Sequence, residues 1–227
     1  MKKILQFATI SIVLSAMFAF TISTTVLPYF TDATKKIQLS HYDSNDKYAG
    51  YSSFDFKSRV GNVFTIEETA FGTKGDKLTV VDYNVEKKNN AAAYDMNIMI
   101  GSNLDFIKDR KVTVDENTYM EFPDEVKVGD MLKDGVFKGV VYSNGSRFAA
   151  LDITCISRKV VEKAVLETPA GKFESYCVEF TLITKIGIIK STDIKRFWFN
   201  NQMGIIKTDR HSKNGKYTGK SVLSKLI

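Results

Sequence analysis

The feature that most constrains this chain is a pair of Asn-Gly turns set between runs of β-branched and aromatic residues. Ser143-Asn144-Gly145-Ser146 stands between Val140-Val141-Tyr142 and Phe148-Ala149-Ala150-Leu151. Asn and Gly accept the positive φ that a tight hairpin demands, so this pattern is a strong local signal for antiparallel pairing. Lys213-Asn214-Gly215-Lys216 repeats it between Ile205-Ile206-Lys207-Thr208 and Ser221-Val222-Leu223. Val63-Phe64-Thr65-Ile66, Leu78-Thr79-Val80-Val81-Asp82-Tyr83 and Val178-Glu179-Phe180-Thr181-Leu182 show the same strand-like character with partial period-two alternation. One short helix is expected around Asn103 to Lys111, where Leu104, Phe106 and Ile107 make an apolar edge. The rest reads as antiparallel β.

The first residues carry a different message. Lys2-Lys3 precedes an uncharged, mostly apolar run from Ile4 to Phe20, which is the form of a secretory signal peptide. Met17-Phe18-Ala19 and Thr21-Ile22-Ser23 both approximate a small-x-small cleavage site, so the cut is expected at residues 19–25. An uncleaved anchor is the alternative. The chain then divides into a signal peptide (1–23), a lead-in (24–46) and an antiparallel β domain (47–227). No cysteine lies near the segment, so the expected location is periplasmic or extracellular, without a cysteine-linked lipid anchor. About 200 residues remain, enough for one core that buries about 70% of the unfolded surface. With 44% hydrophobic residues, a net charge of +6 and three prolines, the composition excludes a disordered tail, a collagen-like fibre and a disulfide scaffold.

Cys155 and Cys177 flank the turn Thr168-Pro169-Ala170-Gly171-Lys172. Pairing Thr168 with Lys172 places Cys177 opposite Lys163 and Cys155 opposite Lys185, which keeps the sulfurs apart. Two buried free thiols are therefore expected rather than a bridge.

The recognised catalytic and metal motifs are missing. Gly219-Lys220-Ser221 resembles the end of a phosphate-binding loop, but the pattern requires glycine at 214, where Asn214 stands. His41 and His211 are 170 positions apart and the cysteines lack CxxC spacing, so neither a transition-metal site nor a histidine-based triad is expected. Asp43-Ser44-Asn45-Asp46 lacks the glycine and distal glutamate of a calcium loop and reads as a solvated turn. Glu67, Glu68, Glu121 and Asp124 read as surface carboxylates. Lys47-Tyr48-Ala49-Gly50-Tyr51-Ser52 echoes Lys216-Tyr217-Thr218-Gly219-Lys220-Ser221, which reads as shared hairpin chemistry rather than a duplicated module.

Two other patterns bear on function. From Lys185 to Ile227 ten basic residues face two acids, a net +8, which leaves −4 for the middle of the chain. A basic sheet with Lys207, Arg210 and Lys220 as contacts could meet an anionic surface; the bland reading is a solvated face whose lysines blunt edge pairing. Nucleic acid is not an expected partner of an exported protein. In Phe197-Trp198-Phe199 a strand puts the tryptophan on one face and both phenylalanines on the other, so both faces must be covered. Core packing is one explanation and a lipid-lined cavity the other, with Trp198, Phe180 and Tyr176 as candidate lining residues.

Phe122-Pro123, Val128-Gly129-Asp130-Met131-Leu132, Arg158-Lys159-Val160, Thr168-Pro169-Ala170-Gly171-Lys172-Phe173-Glu174-Ser175-Tyr176, Trp198-Phe199 and Gly204-Ile205-Ile206-Lys207-Thr208 follow one another in a familiar order. From about Tyr48 onward the chain resembles the TapB-like family of exported bacterial β-proteins, a domain of unknown function. One departure is Ser175, where that family often has cysteine; this chain has Cys177 two positions on. The resemblance implies a curled antiparallel sheet similar to the half-barrels of periplasmic lipoprotein carriers, and it supplies no catalytic residues.

The expected fold is thus mainly β, a single curled antiparallel sheet or half-barrel with one short helix. The expected function is non-enzymatic: an envelope protein binding a lipid or other amphiphile in its curled sheet, without cofactor or metal. The alternative is a structural or adhesion-related module engaging an envelope protein through its sheet edge or basic C-terminal face.

Overall fold

The computed structural model describes residues 36–100 and 111–227. The expected signal peptide lies outside the described residues, as does the expected helix except for Lys111, which begins a strand. Thirteen strands form one antiparallel sheet: β1 (Lys36–Asp43), β2 (Tyr48–Val60), β3 (Val63–Phe71), β4 (Lys77–Lys88), β5 (Ala91–Asp95), β6 (Lys111–Asn117), β7 (Tyr119–Pro123), β8 (Gly135–Ser143), β9 (Ser146–Thr168), β10 (Gly171–Ile186), β11 (Ile189–Asn200), β12 (Gly204–Ser212) and β13 (Tyr217–Leu226). The one described helix is a single 3-10 turn, Met96–Met99. The lead-in 24–46 needs correction, because β1 lies inside it and sits mid-sheet between β13 and β2.

The spatial order is β6-β8-β9-β10-β11-β12-β13-β1-β2-β3-β4-β5-β7. Its two end strands are consecutive in the chain and meet at Thr118. There the Thr118 N–H donates to the Val136 carbonyl at 2.9 Å, and the Val136 N–H donates to Thr118 Oγ1 at 2.7 Å. The Thr118 carbonyl accepts from Met96 N–H at 3.1 Å. One continuous segment therefore pairs with β8 through its first half and with β5 through its second. The sheet is nearly closed into a barrel, which goes beyond the half-barrel expected from sequence.

The turns set the register. Asn144 (φ 50°) and Gly145 (φ 79°) form the anticipated two-residue hairpin, with Ser143 opposite Ser146. At Asn214-Gly215 only the glycine is left-handed. Gly215 N–H reaches Ser212 O and Ser212 N–H reaches Lys216 O, so this is a three-residue turn with a bulge rather than a copy of the first. Asp43–Lys47 and Gly72–Asp76 close with the same two bonds. Each of these hairpins carries a register shift two residues further in, at His41/Tyr42, Ala70/Phe71 and Arg210/His211. The sequence echo is thus a turn-and-bulge device used three times, and Asp43 Oδ1 is engaged in it, accepting from Asn45 and Lys47 N–H.

In the β9–β10 hairpin Thr168 pairs with Gly171, one residue tighter than the sequence reading, and two register shifts follow. Cys177 therefore faces Glu162 and Cys155 faces Leu182. Cys177 also pairs with Trp198 on the outer face, whereas Leu182 lies on the inner face with Phe180. The thiols are free, buried and on opposite sides of the sheet.

At 23 residues β9 is too long to run straight across a barrel wall, and it bends at Ser157 (φ 57°). The bend turns Arg158 inward, where it is 0% exposed. Its guanidinium donates to the carbonyls of Lys133 (2.6 Å) and Glu121 (2.9 Å) and lies over the Phe122 ring at 5.0 Å. One buried cation thus ties β9 to β7 and to the segment preceding β8.

Two predictions follow from these contacts. Arg158→Ala strands two carbonyls and opens a void, and should cost about 3 kcal/mol or more in urea unfolding; Arg158→Lys should recover less than half, because an ammonium lacks the fork that spans both acceptors. Gly145→Ala meets nothing within 4 Å and should cost about 1 kcal/mol from its positive φ alone. A Cβ at Gly50 (φ 128°) runs into the Phe71 carbonyl oxygen, so Gly50→Ala should lower the urea midpoint distinctly further.

Candidate functional site

Thirteen strands enclose more space than their inward side chains fill, since barrel width grows with strand number. The interior divides in two. Beneath β5, β7, β10 and β11 it is solid: Phe122 stacks on Phe199 at 4.8 Å, Tyr94 stands edge-on to both, and Tyr176 packs against Phe199 at 5.5 Å. Along β1–β4 and β11–β13 the packing leaves a narrow cavity of about 80 Å³ that opens to the surface.

The lining changes character along the barrel axis. Toward the termini and the β11–β12 turn it is apolar, with Ile37, Leu39, Phe54, Val85, Phe197 and Ile205. Ile98 and Met99 of the 3-10 turn add to it from within. Toward the Asp43–Lys47 and Ser212–Lys216 turns it becomes polar, with His41, Glu68, Lys195, Thr208 and Ser221. Strand alternation puts each of these on the inner face; Lys195 pairs with Arg210, and Arg210 with Gly219.

The polar end is wired by hydrogen bonds. Ser52 Oγ donates to Glu68 Oε1 at 2.8 Å; His41 Nε2 lies 2.9 Å from Ser52 Oγ, and His41 Nδ1 lies 2.7 Å from Ser221 Oγ. As a carboxylate Glu68 only accepts, so Ser52 directs its one hydrogen there and must accept from His41. This assigns the proton of neutral His41 to Nε2, and Ser221 then donates to Nδ1. Burial holds His41 down at about 4, assisted by the charge of Arg210, so the neutral form fits the network. Burial likewise lowers Lys195 to about 8, followed by repulsion from Arg210 and partly offset by Asp193 and Cys155.

The sequence reading missed this cluster because its members come from five strands and from positions 41 to 221. The hydrogen bonds run from Glu68 to Ser52 and from Ser52 to the imidazole, so a serine stands between carboxylate and histidine in this chain of contacts. Among the described residues no group of three or more His, Cys, Asp or Glu side chains is placed to hold a metal ion.

A family model described as DUF3108-like matches residues 33–223. The chain belongs to the DUF3108-like family. The match agrees with the sequence resemblance in pointing to a domain of unknown function, but it does not extend to the TapB-like name. A crystal structure of a Bacteroides fragilis protein described as exported and as having a YmcC-like fold is similar, with a TM-score of 0.71 and 16% identity over 85% of this chain and 94% of that one. A Parabacteroides distasonis protein described as a lipoprotein gives a TM-score of 0.73 and 15% identity over 87% of this chain and 96% of that one. At these identities the likeness speaks for the fold. No match is found among the curated proteins.

The DUF3108-like barrel places the residues singled out in the sequence as follows. Phe180 and Tyr176 are on the inner face but inside the packed region: Phe180 stands edge-on to Phe197 at 4.9 Å, and the Tyr176 hydroxyl donates to Pro123 O at 2.8 Å. Trp198 is on the outer face, where its indole N–H donates to Asp209 and Lys207 lies over its ring at 5.6 Å. None of the three lines the cavity; Phe197 does. Lys207 pairs with Asp209 at 2.9 Å and Lys220 with Asp46 at 2.8 Å, both on the outer face, while Arg210 faces inward. The three cations therefore form no common surface.

Two titrations of opposite sign overlap in this fold. His41 binds its proton more weakly folded than unfolded, so its contribution, about 3 kcal/mol from the shift, is lost as pH falls from 6.5 to about 4. Asp95, buried beneath the 3-10 turn, is raised by desolvation to about 6 despite accepting from Asn84 and Asn97 N–H, so it is lost in the other direction, as pH rises from 3.8 to about 6. Asp95→Asn should make stability fall more steeply on acidification than in the wild type, and His41→Asn should make it fall less. Urea unfolding at pH 4.5 and 7 reads both; parallel curves for all three proteins would contradict the assignment.

Proposed function

We propose that this is an exported, non-enzymatic envelope protein that holds an amphiphile inside its barrel, as a carrier or a sensor. The observation that carries the reading is the cavity itself: the interior beneath β7 and β10 is packed by aromatic rings, while a narrow cavity remains along β1–β4 with a lining graded from apolar to polar. An amphiphile matches such a gradient, burying its tail against Phe54, Val85 and Phe197 and its head near His41 and Lys195. Export is supported by Lys2-Lys3 and the apolar run after it, and by the descriptions of the two similar structures. The edge-mediated reading has less support, since the sheet ends in β6 and β7, strands of seven and five residues joined to each other.

The test is to purify the protein gently from its native envelope, extract it with organic solvent and identify bound molecules by mass spectrometry. One amphiphile class is expected in near-stoichiometric amount. Extracts no different from those of an unrelated envelope protein would overturn the carrier reading and turn the search toward protein partners.

A further inference from the structure

We propose that the β10–β11 turn is a bilayer-contact site, its two isoleucines entering an anionic lipid surface while Lys185 and Lys190 meet the headgroups. This goes beyond the carrier reading and does not depend on what the barrel holds. Ile186 pairs with Ile189 across a two-residue turn, Gly187-Ile188. Gly187 (φ 58°) takes the left-handed position, as in hairpins with glycine first, so the geometry asks for no large side chain at 188. Yet Ile188 is 103% exposed and Ile189 68%, side by side at the apex. Such a pair gains by leaving water for an apolar phase. The tip is also held in place: Gly187 N–H donates to Ala150 O at 3.0 Å. On its other side the hairpin overhangs, because pairing with β12 begins only at Asp193 and Ser212. Ile188 is five residues past that pair and Asn214, the apex of the β12–β13 turn, is two past it, a difference of about 10 Å of strand. That matches the depth to which apolar groups enter the boundary between headgroups and acyl chains.

Charge decides the kind of surface. Lys185 and Lys190 are exposed cross-strand partners on the outer face of the hairpin; Lys185 has Asp152 as its neighbour on β9, while Lys190 lies beyond the end of β12. The turns at the same end of the barrel add exposed Lys47, Lys74, Lys213 and Lys216. Of the acids in those turns, Asp43 accepts from its own turn and Asp46 pairs with Lys220, which leaves Asp76 as counter-charge. The opposite end differs: the turns 60–63, 168–171 and 200–204 are uncharged, and the connection 124–134 has four acids and two lysines. A positive and a negative end orient the barrel toward an anionic surface. The same pattern disfavours other occupants. A second copy meeting this one tip to tip would oppose like charges, and two isoleucines present far less than the roughly 800 Å² per partner of a stable protein interface. A bilayer needs neither a complementary shape nor a large contact. Lys207 and Lys220, paired with carboxylates on the outer wall, take no part.

The experiment floats the mature chain, freed of its apolar N-terminal run, with vesicles of phosphatidylcholine, alone or mixed equally with phosphatidylglycerol, at low and high salt. Binding is expected on the mixed vesicles at low salt, weaker at high salt and weaker on phosphatidylcholine alone. Ile188→Ser should lower the partition coefficient about tenfold, the factor for one isoleucine withdrawn from an apolar phase. Lys185→Gln with Lys190→Gln should lower it about 25-fold, at about fivefold for each lysine near an anionic surface. All three side chains are exposed, and unfolding curves confirm that the variants fold. Val60→Ser removes an apolar side chain, 79% exposed, from the β2–β3 turn at the opposite end, and should change nothing. No binding to the mixed vesicles, or binding that the isoleucine and lysine variants leave unchanged, would overturn the proposal. An equal loss in Val60→Ser would overturn the assignment to the β10–β11 tip, and equal binding to both kinds of vesicle would overturn the anionic surface. Dimers seen in sedimentation and abolished by Ile188→Ser would overturn the bilayer in favour of a second copy. None of these outcomes bears on the carrier reading, which is tested by the molecules extracted from the barrel.

Discussion

Thr118 is the residue on which the closure of this barrel turns. An antiparallel sheet of this size has two edges, and unpaired edges invite association with other chains. In this protein the edges belong to one segment, β6 running into β7, and the change of partner happens at a single residue. Thr118 makes the change without leaving its own polar groups unmet. Its N–H and hydroxyl both engage Val136, and its carbonyl takes the N–H of Met96. Because Met96 opens the 3-10 turn, the same junction holds the cap of that turn against the interior, and Asp95 is carried in beneath it.

Closure creates the second problem, an interior wider than one layer of side chains. The protein handles the two halves differently. Beneath β7 and β10 it uses aromatic rings, buried methionines such as Met96 and Met120, and Arg158, which the bulge in β9 turns inward to satisfy the carbonyls of Glu121 on β7 and Lys133 ahead of β8. Beneath β1–β4 a narrow cavity remains between Leu39, Phe54, Ile66 and Tyr83, and the polar residues gather in one layer near the hairpin turns. That layer is held by hydrogen bonds from Glu68 through Ser52 and His41 to Ser221. Buried polar networks of this kind carry a high cost when incomplete, so the gradient from apolar to polar is a defined property of the site.

Much of the strand architecture is legible along the chain, because strand signals are local. The Asn144-Gly145 hairpin, the strands around Val63, Leu78 and Val178, and the separation of the two thiols all depend on residues close in sequence. Errors arise where more distant residues decide. The Asn214-Gly215 turn takes a different type, with a bulge at Arg210/His211, and β1 itself lacks an obvious signal within a segment read as a lead-in. Trp198 shows the same limit. Alternation correctly separates it from Phe197 and Phe199, but nothing local says which face points inward.

The sequence by itself determines an antiparallel β protein behind an apolar N-terminal run, since hydrophobic alternation and turn residues act over a few positions. Which residues meet is a matter of tertiary structure alone. His41, Ser52, Glu68, Lys195, Thr208 and Ser221 come from six strands, and they form a site only because β1 pairs with β13 and the sheet curls until β3 faces β11. Register and closure are long-range properties, set by the sum of many pairings and by one crossing at Thr118. No window of the chain contains them.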